Sequence, residues 1–324
     1  MMCNWGILGA GFVTTRATLP ALQHSRNGRV RALASRDPAR AQALATQWGI
    51  ERVYNEYQAL LNDPQIDAVY IALPNHLHAH WTQQAALAGK HVLCEKPLAS
   101  SASEARQMLD RCRQARVQLM EAAMYRFHPR MQRLQEVVAT GELGNLRLLH
   151  SAFSFPLRES ANYRQTRAYG GGALLDIGCY CASALCRVHG GPPVAIQSFT
   201  SFREAGGIDL ESSALLRFAD GSLGHMQCSF LAAEYQVLEI VGDQGALLAP
   251  LAFTAWREDA TLLRFQQGSQ CREEHFAPAD PYQVMVEHFV QALDNEAPLA
   301  YPPGEALQTL EVLDAIRACG EPGQ

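Results

Sequence analysis

The sequence predicts two domains of different class: an N-terminal α/β domain on a parallel sheet, then a C-terminal α+β domain whose open sheet is mainly antiparallel. Three observations predict this. From residue 3 to residue 122, short apolar strands alternate with helical stretches, as in a parallel sheet covered on both faces. After Met124 the rhythm changes, and strands follow one another with few helices between them. At 324 residues the chain is long enough for two hydrophobic cores. The division is expected as 1–122 and 123–324.

Element by element, Trp5 to Leu8 is an apolar run that breaks at Gly9-Ala10-Gly11, and a helix follows from Val13 to Gln23. Arg29 to Ala34 alternates as a strand and stops at Ser35-Arg36-Asp37-Pro38. Asp37 is placed to cap the next helix, Ala39 to Trp48, with Pro38 at its first position. Asp67 to Leu73 reads as a buried strand ending at Pro74-Asn75, and the helix from His78 to Ala88 ends at Gly89. His91 to Cys94 is a strand ending in Glu95-Lys96-Pro97. Ser103 to Arg116 is helical, and Val117 to Glu121 is a strand.

The second half opens with a helix over Pro129 to Thr140. Strands are expected at Leu146–Phe155, Ala195–Phe202, Glu211–Phe218, Gly224–Phe230 and Gln236–Val241, with Asp220-Gly221 signalling a hairpin. A helix from Gly172 to Val188 interrupts them, and helices at Tyr282–Leu293 and Gly304–Ala318 close the chain.

Composition excludes some functions. The chain is 48% hydrophobic and 18% charged, with a formal net charge of -5 and a pI near 6.1. It lacks the basic surplus of a protein that tracks phosphates, so no nucleic-acid partner is expected. No apolar run approaches the roughly 18 residues of a membrane span, and no leader pattern precedes the first strand. A cytoplasmic protein is expected. The nine cysteines show no CxxC pair, and Cys179, Cys181 and Cys186 lack a ligand pattern beside them. They read as buried, reduced thiols, with no metal site.

The Gly9-Ala10-Gly11-Phe12-Val13-Thr14 turn follows a strand and opens a helix. Glycines there let the backbone approach a pyrophosphate, whose charge is held by amides at the helix N-terminus. This is the phosphate end of a Rossmann domain, although Thr14 replaces the third glycine. At the end of the second strand an NAD site calls for an acidic residue. Ser35 and Arg36 stand there instead, and a hydroxyl with a guanidinium suits a 2′-phosphate. NADP is expected over NAD, with Asp37 either capping the next helix or taking the acidic role.

Separate blocks in this order resemble the Gfo/Idh/MocA oxidoreductase family. They are the glycine turn, Pro74-Asn75-x-x-His78, Ala88-Gly89-Lys90-His91-Val92-Leu93-Cys94-Glu95-Lys96-Pro97, Met124-Tyr125-Arg126-Phe127-His128-Pro129, and Gly170-Gly171-Gly172 leading into Asp176-x-Gly178-x-Tyr180. Ser35-Arg36, Arg126-Phe127-His128-Pro129 and Tyr180 are most similar to its dihydrodiol dehydrogenase and NADP-dependent D-xylose 1-dehydrogenase branch.

The resemblance implies roles. Gly9, Ala10, Gly11, Phe12, Val13, Ser35, Arg36, Leu73, Pro74, Asn75, His78, Glu95, Lys96 and Arg126 are expected around the cofactor. Lys96 is expected to face the reacting oxygen, Glu95 to lie near the nicotinamide, and Pro97 to follow a cis peptide. Asp176 and Tyr180 share a helix face at i and i+4. Where much of the family has histidine, Tyr180 is the general acid/base, and a phenol near pKa 10 needs a neighbouring cation. Lys96 is expected to supply that cation across the domain cleft, with Asp176 orienting the pair or binding a substrate hydroxyl. Tyr163 is expected at the substrate. Ala184 replaces a common aspartate. His128 either contacts the site or has a structural role beside Pro129, and of His76 and His78 only the latter matches the family block.

The implied reaction is reversible hydride transfer to or from a hydroxyl-bearing carbon of a sugar-like small molecule, as aldose oxidation or carbonyl reduction. A redox-assisted glycosidase and a non-catalytic NADP-binding regulator are the alternatives. A homo-oligomer, as a dimer, is expected through the exposed face of the C-terminal sheet. Leu215, Phe218, Met226 and Phe230 are the apolar candidates, unless they cover the domain's own helices.

Overall fold

A computed structural model describes residues 2–159, 162–204, 206–294 and 296–320. The chain forms two compact units, Met1–Met124 with Asp280–Leu307, and Tyr125–Ala279 with Gln308–Gln324. The first transition lies close to residue 122, and the segment from 280 to 307 then returns to the first unit.

In the first unit the elements run β1 (Cys3–Leu8), α1 (Leu19–His24), β2 (Gly28–Ala34), α2 (Pro38–Trp48), β3 (Arg52–Tyr54), α3 (Tyr57–Leu61), β4 (Ala68–Ile71), α4 (His78–Leu87), β5 (His91–Glu95), α5 (Ala102–Ala115) and β6 (Leu119–Ala122). The strands form one parallel sheet in the order β3-β2-β1-β4-β5-β6. Right-handed crossovers wind outward from β1 in both directions, which leaves a crevice beyond the carboxyl ends of β1 and β4. Ile7, Leu8, Val69, Tyr70 and Leu93 are fully buried, as expected of strands covered on both faces. The short pair β3 and α3 was absent from the sequence reading. Arg52-Val53-Tyr54 is only half-buried and carries no apolar run to mark it.

The second unit contains α6 (Pro129–Ala139), β7 (Leu146–Ser154), α7 (Cys179–His189), β8 (Ala195–Phe202), β9 (Asp209–Arg217), β10 (Leu223–Ser229), β11 (Tyr235–Gly242), β12 (Ala246–Pro250), β13 (Thr261–Gln267) and β14 (Gln270–Phe276). Its sheet has the order β14-β13-β12-β11-β7-β10-β9-β8 and is antiparallel except where β7 pairs with β10. Gly221, at φ 86°, makes the β9–β10 hairpin. Strands β12 to β14 go beyond the sequence expectation: β14 is exposed along most of its length and shows no apolar alternation, whereas β12 and β13 do alternate.

Helix α7 packs across β7 and β10. The stretch Arg167–His189 has the length and composition of a membrane span, yet 94% of its apolar window is buried inside the protein. On the opposite face of the sheet the register aligns Leu148, Phe199, Leu215, Leu223 and Tyr235, all exposed. Of the four apolar candidates for that surface only Leu215 lies on it. Phe218, Met226 and Phe230 are buried.

Helices α8 (Pro281–Leu293) and α9 (Pro303–Gly320) close the chain. Phe289 of α8 packs 5.6 Å from Trp5 of β1, and Glu287 pairs with Arg26 at 2.6 Å. These contacts tie α8 into the first unit.

Candidate active site

At the carboxyl end of β1, Gly9 adopts φ +107°, and a Cβ there would lie 2.4 Å from the Ala72 carbonyl oxygen after β4. Only glycine lets the two chain segments approach so closely. Above Gly11 a Cβ would meet nothing within 4 Å, so the turn leaves room for a bound group. Thr14 is fully buried, and its hydroxyl donates to the Gly9 carbonyl at 2.9 Å. The residue that breaks the glycine pattern therefore closes the turn from inside. Residues Thr14–Thr18 then wind as a π turn before α1, and Phe12 is exposed.

At the end of β2 the Asp37 carboxylate accepts the Arg40 N–H at 3.0 Å and caps α2. The capping role is the one the helix geometry shows. Ser35 is buried and its oxygen accepts the Asp37 N–H at 3.1 Å, which leaves the hydroxyl hydrogen as a donor. Arg36 is exposed beside it.

Glu95 ends β5. One carboxylate oxygen accepts the Tyr70 hydroxyl at 2.6 Å and the other accepts the Lys96 N–H at 3.2 Å. Burial raises its pKa, against the hydrogen bond from Tyr70 and the charge of Lys96. Lys96 is half-buried and the Lys96–Pro97 peptide is cis, as expected. Lys90, in the same sequence block, has a different task. Its ammonium donates to the Asp63 and Ile66 carbonyls at 2.8 and 2.7 Å, holding the end of α3.

His78 corrects an expectation. Its ring is fully buried between the Leu73 carbonyl, 2.7 Å from Nε2, and the Pro97 carbonyl, 2.9 Å from Nδ1. Both nitrogens are engaged by the backbone, so His78 ties the loop after β4 to the loop after β5 rather than facing a ligand. Burial lowers its pKa despite the two carbonyls. Leu73 and Asn75 are buried, and Pro74 is half-buried on the first of these loops.

In the second unit Asp176 sits in a π turn, Leu174–Gly178, that leads into α7 and Tyr180. Such turns concentrate at functional sites. Both side chains are buried. Tyr180 is boxed by the rings of Tyr125, Phe153 and Phe253, with centroids 5.6, 5.5 and 5.5 Å away. Asp176 accepts from Arg164 Nε at 2.7 Å, and the guanidinium carbon lies 4.9 Å from the Tyr163 ring centroid. Burial works against the Arg164 charge, but Asp176, Tyr163 and Tyr180 outweigh it and raise its pKa.

The glycine triplet explains how this cluster is held. Gly172 N–H donates to the Arg164 carbonyl at 2.9 Å, and a Cβ on Gly171 would lie 2.3 Å from that same oxygen. Gly172 has φ +116°, and a Cβ on it would lie 2.3 Å from Asp209 Oδ1. The other Asp209 oxygen accepts the Leu174 N–H at 2.5 Å at the start of the helix.

Arg126, expected at the cofactor, is buried and donates to the Ser183 hydroxyl, which also bonds the Tyr125 hydroxyl at 2.8 Å. His128 Nδ1 accepts the Arg130 N–H at 3.1 Å and caps α6, a structural task for that nitrogen. Burial and Arg130 bring its pKa down to about 4. Cys179, Cys181 and Cys186 are buried thiols, and burial pushes Cys181 up to about 12. Ala184 is buried and leaves no polar group at its position.

The structure thus gathers Gly9, Gly11, Leu73, Asn75, Glu95 and Lys96 at the strand ends of one unit, and Tyr163, Asp176 and Tyr180 in the other. Arg164, Phe153, Phe253, Tyr70 and Ser183 were missed. A buried helical aspartate calls for a cation, but Arg164 and Arg167 both precede the glycine triplet and the sequence does not choose between them.

An α/β dinucleotide-type domain followed by an open-sheet domain is the arrangement of a two-domain oxidoreductase. Residues 3–123 match the Gfo/Idh/MocA oxidoreductase family model for the NAD-binding Rossmann fold, and residues 131–248 match the family's C-terminal domain. The chain belongs to the Gfo/Idh/MocA oxidoreductase family. It is 38% identical to D-xylose 1-dehydrogenase (NADP(+)) 2 of Haloferax volcanii, over 98% of each chain. It is 35% identical to trans-1,2-dihydrobenzene-1,2-diol dehydrogenase of Mus musculus, over 76% of this chain and 74% of the mouse protein. Among solved structures it is similar to a 3-ketoreductase from Actinomadura kijaniata in complex with NADP and TDP-benzene. The TM-score is 0.92 at 28% identity, covering 99% of this chain and 98% of that one.

Proposed function

We propose that the protein is an NADP-dependent dehydrogenase or reductase that transfers a hydride between the nicotinamide and a hydroxyl-bearing carbon of a sugar or related cyclic polyol. Ser35 and Arg36 carry the cofactor assignment: Ser35 keeps a hydroxyl hydrogen to donate and Arg36 is exposed beside it, which suits a 2′-phosphate, while Asp37 caps α2 through one carboxylate oxygen. The names of the Haloferax and Actinomadura relatives support NADP and a sugar-like substrate.

The residues fit the group. Gly9, Ala10 and Gly11, with the amides of Phe12 and Val13, would hold the cofactor's pyrophosphate, and no neighbouring atom fills the space beside Gly11. Leu73, Pro74, Asn75 and Glu95 flank the nicotinamide end, in loops that His78 keeps together. When bound, NADP supplies or accepts the hydride. Lys96 steadies negative charge on a substrate oxygen, and Tyr180 exchanges a proton with a substrate hydroxyl, with Asp176 orienting the pair or binding a substrate hydroxyl. Tyr163 contacts the substrate. The same proposal places the protein in the cytoplasm, where buried thiols stay reduced. It also places a second copy on the sheet face carrying Phe199, Leu215 and Tyr235.

A screen of aldoses and dihydrodiols with NADP⁺ and with NAD⁺, read by absorbance of the reduced cofactor, tests the reading. The expected result is reduction of NADP⁺ by a cyclic aldose or dihydrodiol, with NAD⁺ inferior. Aglycone release from glycosides without net cofactor reduction overturns it in favour of a glycosidase. NADP binding without turnover of any compound overturns it in favour of a regulator.

A further inference from the structure

We propose that Arg164 is a positioning residue for Tyr180: by neutralising Asp176, it sets the pH at which the phenol releases its proton. The inference deepens, and rests on, the reading of Tyr180 as the group that handles the substrate proton.

Two features around Tyr180 oppose phenolate. The rings of Tyr125, Phe153 and Phe253 exclude water from its surroundings, and a desolvated phenolate is unfavourable. Asp176, four residues earlier and buried, would add a like charge through a medium that screens poorly. Left alone, that carboxylate would hold the phenol protonated.

Arg164 reverses the balance. Its Nε–H donates to Asp176 Oδ2 at 2.7 Å, so the carboxylate is met by a cation at hydrogen-bond distance. A pair carries no net charge, and what reaches Tyr180 is a guanidinium with its counter-ion rather than a bare anion. The guanidinium also lies over the Tyr163 ring at 4.9 Å, which fixes its plane.

The local backbone is built to present this one side chain. The Asn162 side-chain oxygen accepts from Arg164 N at 3.1 Å and from its Nη1 at 3.5 Å. The carbonyl of Arg164 is taken by Gly172 N–H, and Gly171 has no space for a side chain against it. The triplet Gly170-Gly171-Gly172 thereby joins the segment carrying Arg164 to the helix carrying Asp176 and Tyr180. Charged and titratable groups around the phenol include Arg164, whose charge acts on Tyr180, its partner Asp176, and Tyr125, whose hydroxyl shares Ser183 with Arg126.

The test is a spectrophotometric titration of tyrosinate in the full chain, with the Tyr180 signal taken as the difference between each protein and its Tyr180→Phe counterpart. Arg164→Met is expected to raise the Tyr180 midpoint by about one pH unit or more. Arg164→Lys restores most of the shift, and Asp176→Asn moves the midpoint the other way. If Arg164→Met does not fold, the double variant Arg164→Met/Asp176→Asn removes both charges, and its midpoint lies above that of Asp176→Asn. Equal midpoints in wild type and Arg164→Met, or in Asp176→Asn and the double variant, overturn the proposal. No substrate enters this measurement. A null titration in an active dehydrogenase rejects the role of Arg164 alone, and an intact titration in a protein inert toward every compound rejects only the activity.

Discussion

Glu95 stands next to Lys96 in the first unit and Asp176 stands one helical turn from Tyr180 in the second, yet the two carboxylates are held in opposite ways. Glu95 is met by neutral donors, the Tyr70 hydroxyl and a backbone N–H. Burial then shifts it toward its protonated form. Asp176 is met by a guanidinium, which fixes it as an anion within a neutral pair. One unit tolerates a buried acid by letting it approach neutrality, and the other by pairing its charge. The difference follows the proposed chemistry. Burial raises the Glu95 pKa against the opposing charge of Lys96, whereas an unpaired anion beside Tyr180 would keep the phenol from ionising.

The largest expected effect asks whether both units serve one reaction. Lys96→Met and Tyr180→Phe should each lower kcat by about 10²- to 10⁴-fold while cofactor titrations give near-unchanged NADP affinity for Tyr180→Phe. Near-normal turnover in either variant would remove that residue from the mechanism. Next come the carboxylate partners. Arg164→Met strands a buried anion and should cost about 3–5 kcal/mol in urea unfolding. Tyr70→Phe should cost less, about 1–3 kcal/mol, because Glu95 can take up a proton instead. Equal losses would erase the comparison.

The acid range sharpens it further. Glu95 binds its proton more tightly folded than unfolded, so its contribution to stability is complete below the ordinary value of 4.5 and is lost as pH rises through the raised value. Glu95→Gln should therefore flatten the stability profile above pH 4.5, and a profile parallel to wild type would show that Glu95 does not titrate there. At the phosphate end the effects are smaller. Arg36→Ala should reduce the preference for NADP over NAD by about 10- to 100-fold in kcat/KM. Asp37→Ala should cost about 1 kcal/mol of stability as a lost cap and leave cofactor preference unchanged. A gain in NAD use by Asp37→Ala would contradict its assignment as a cap.

The helix cap at Asp37, the strand ends at Gly9 and Glu95 and the hairpin at Gly221 were all legible in the sequence. Each is dictated by residues within a few positions of one another. Of the elements the sequence expectations lack, β3 is short and β14 exposed, and neither carries an apolar period, whereas β12 and β13 alternate and α3 buries Tyr57, Leu60 and Leu61. The site was legible in the same uneven way. Lys96, Asp176 and Tyr180 could be named, but the companion of Asp176 could not, because Arg164 meets it only after the glycine triplet turns the chain back. For His78 and Arg126 the residue type suggested contact with a cofactor, whereas the fold engages them with two carbonyls and a serine.

By itself, then, the sequence determined the two-domain α/β and α+β architecture, the glycine turn after β1 and the presence of Ser35-Arg36 where an acidic residue would stand. These follow from local periodicity, glycine freedom and side-chain chemistry. Tertiary structure alone decided which cation answers Asp176 and which rings enclose Tyr180. Those facts depend on how distant segments pack. Burial is what makes an unpaired charge or hydroxyl costly enough for the fold to supply a partner.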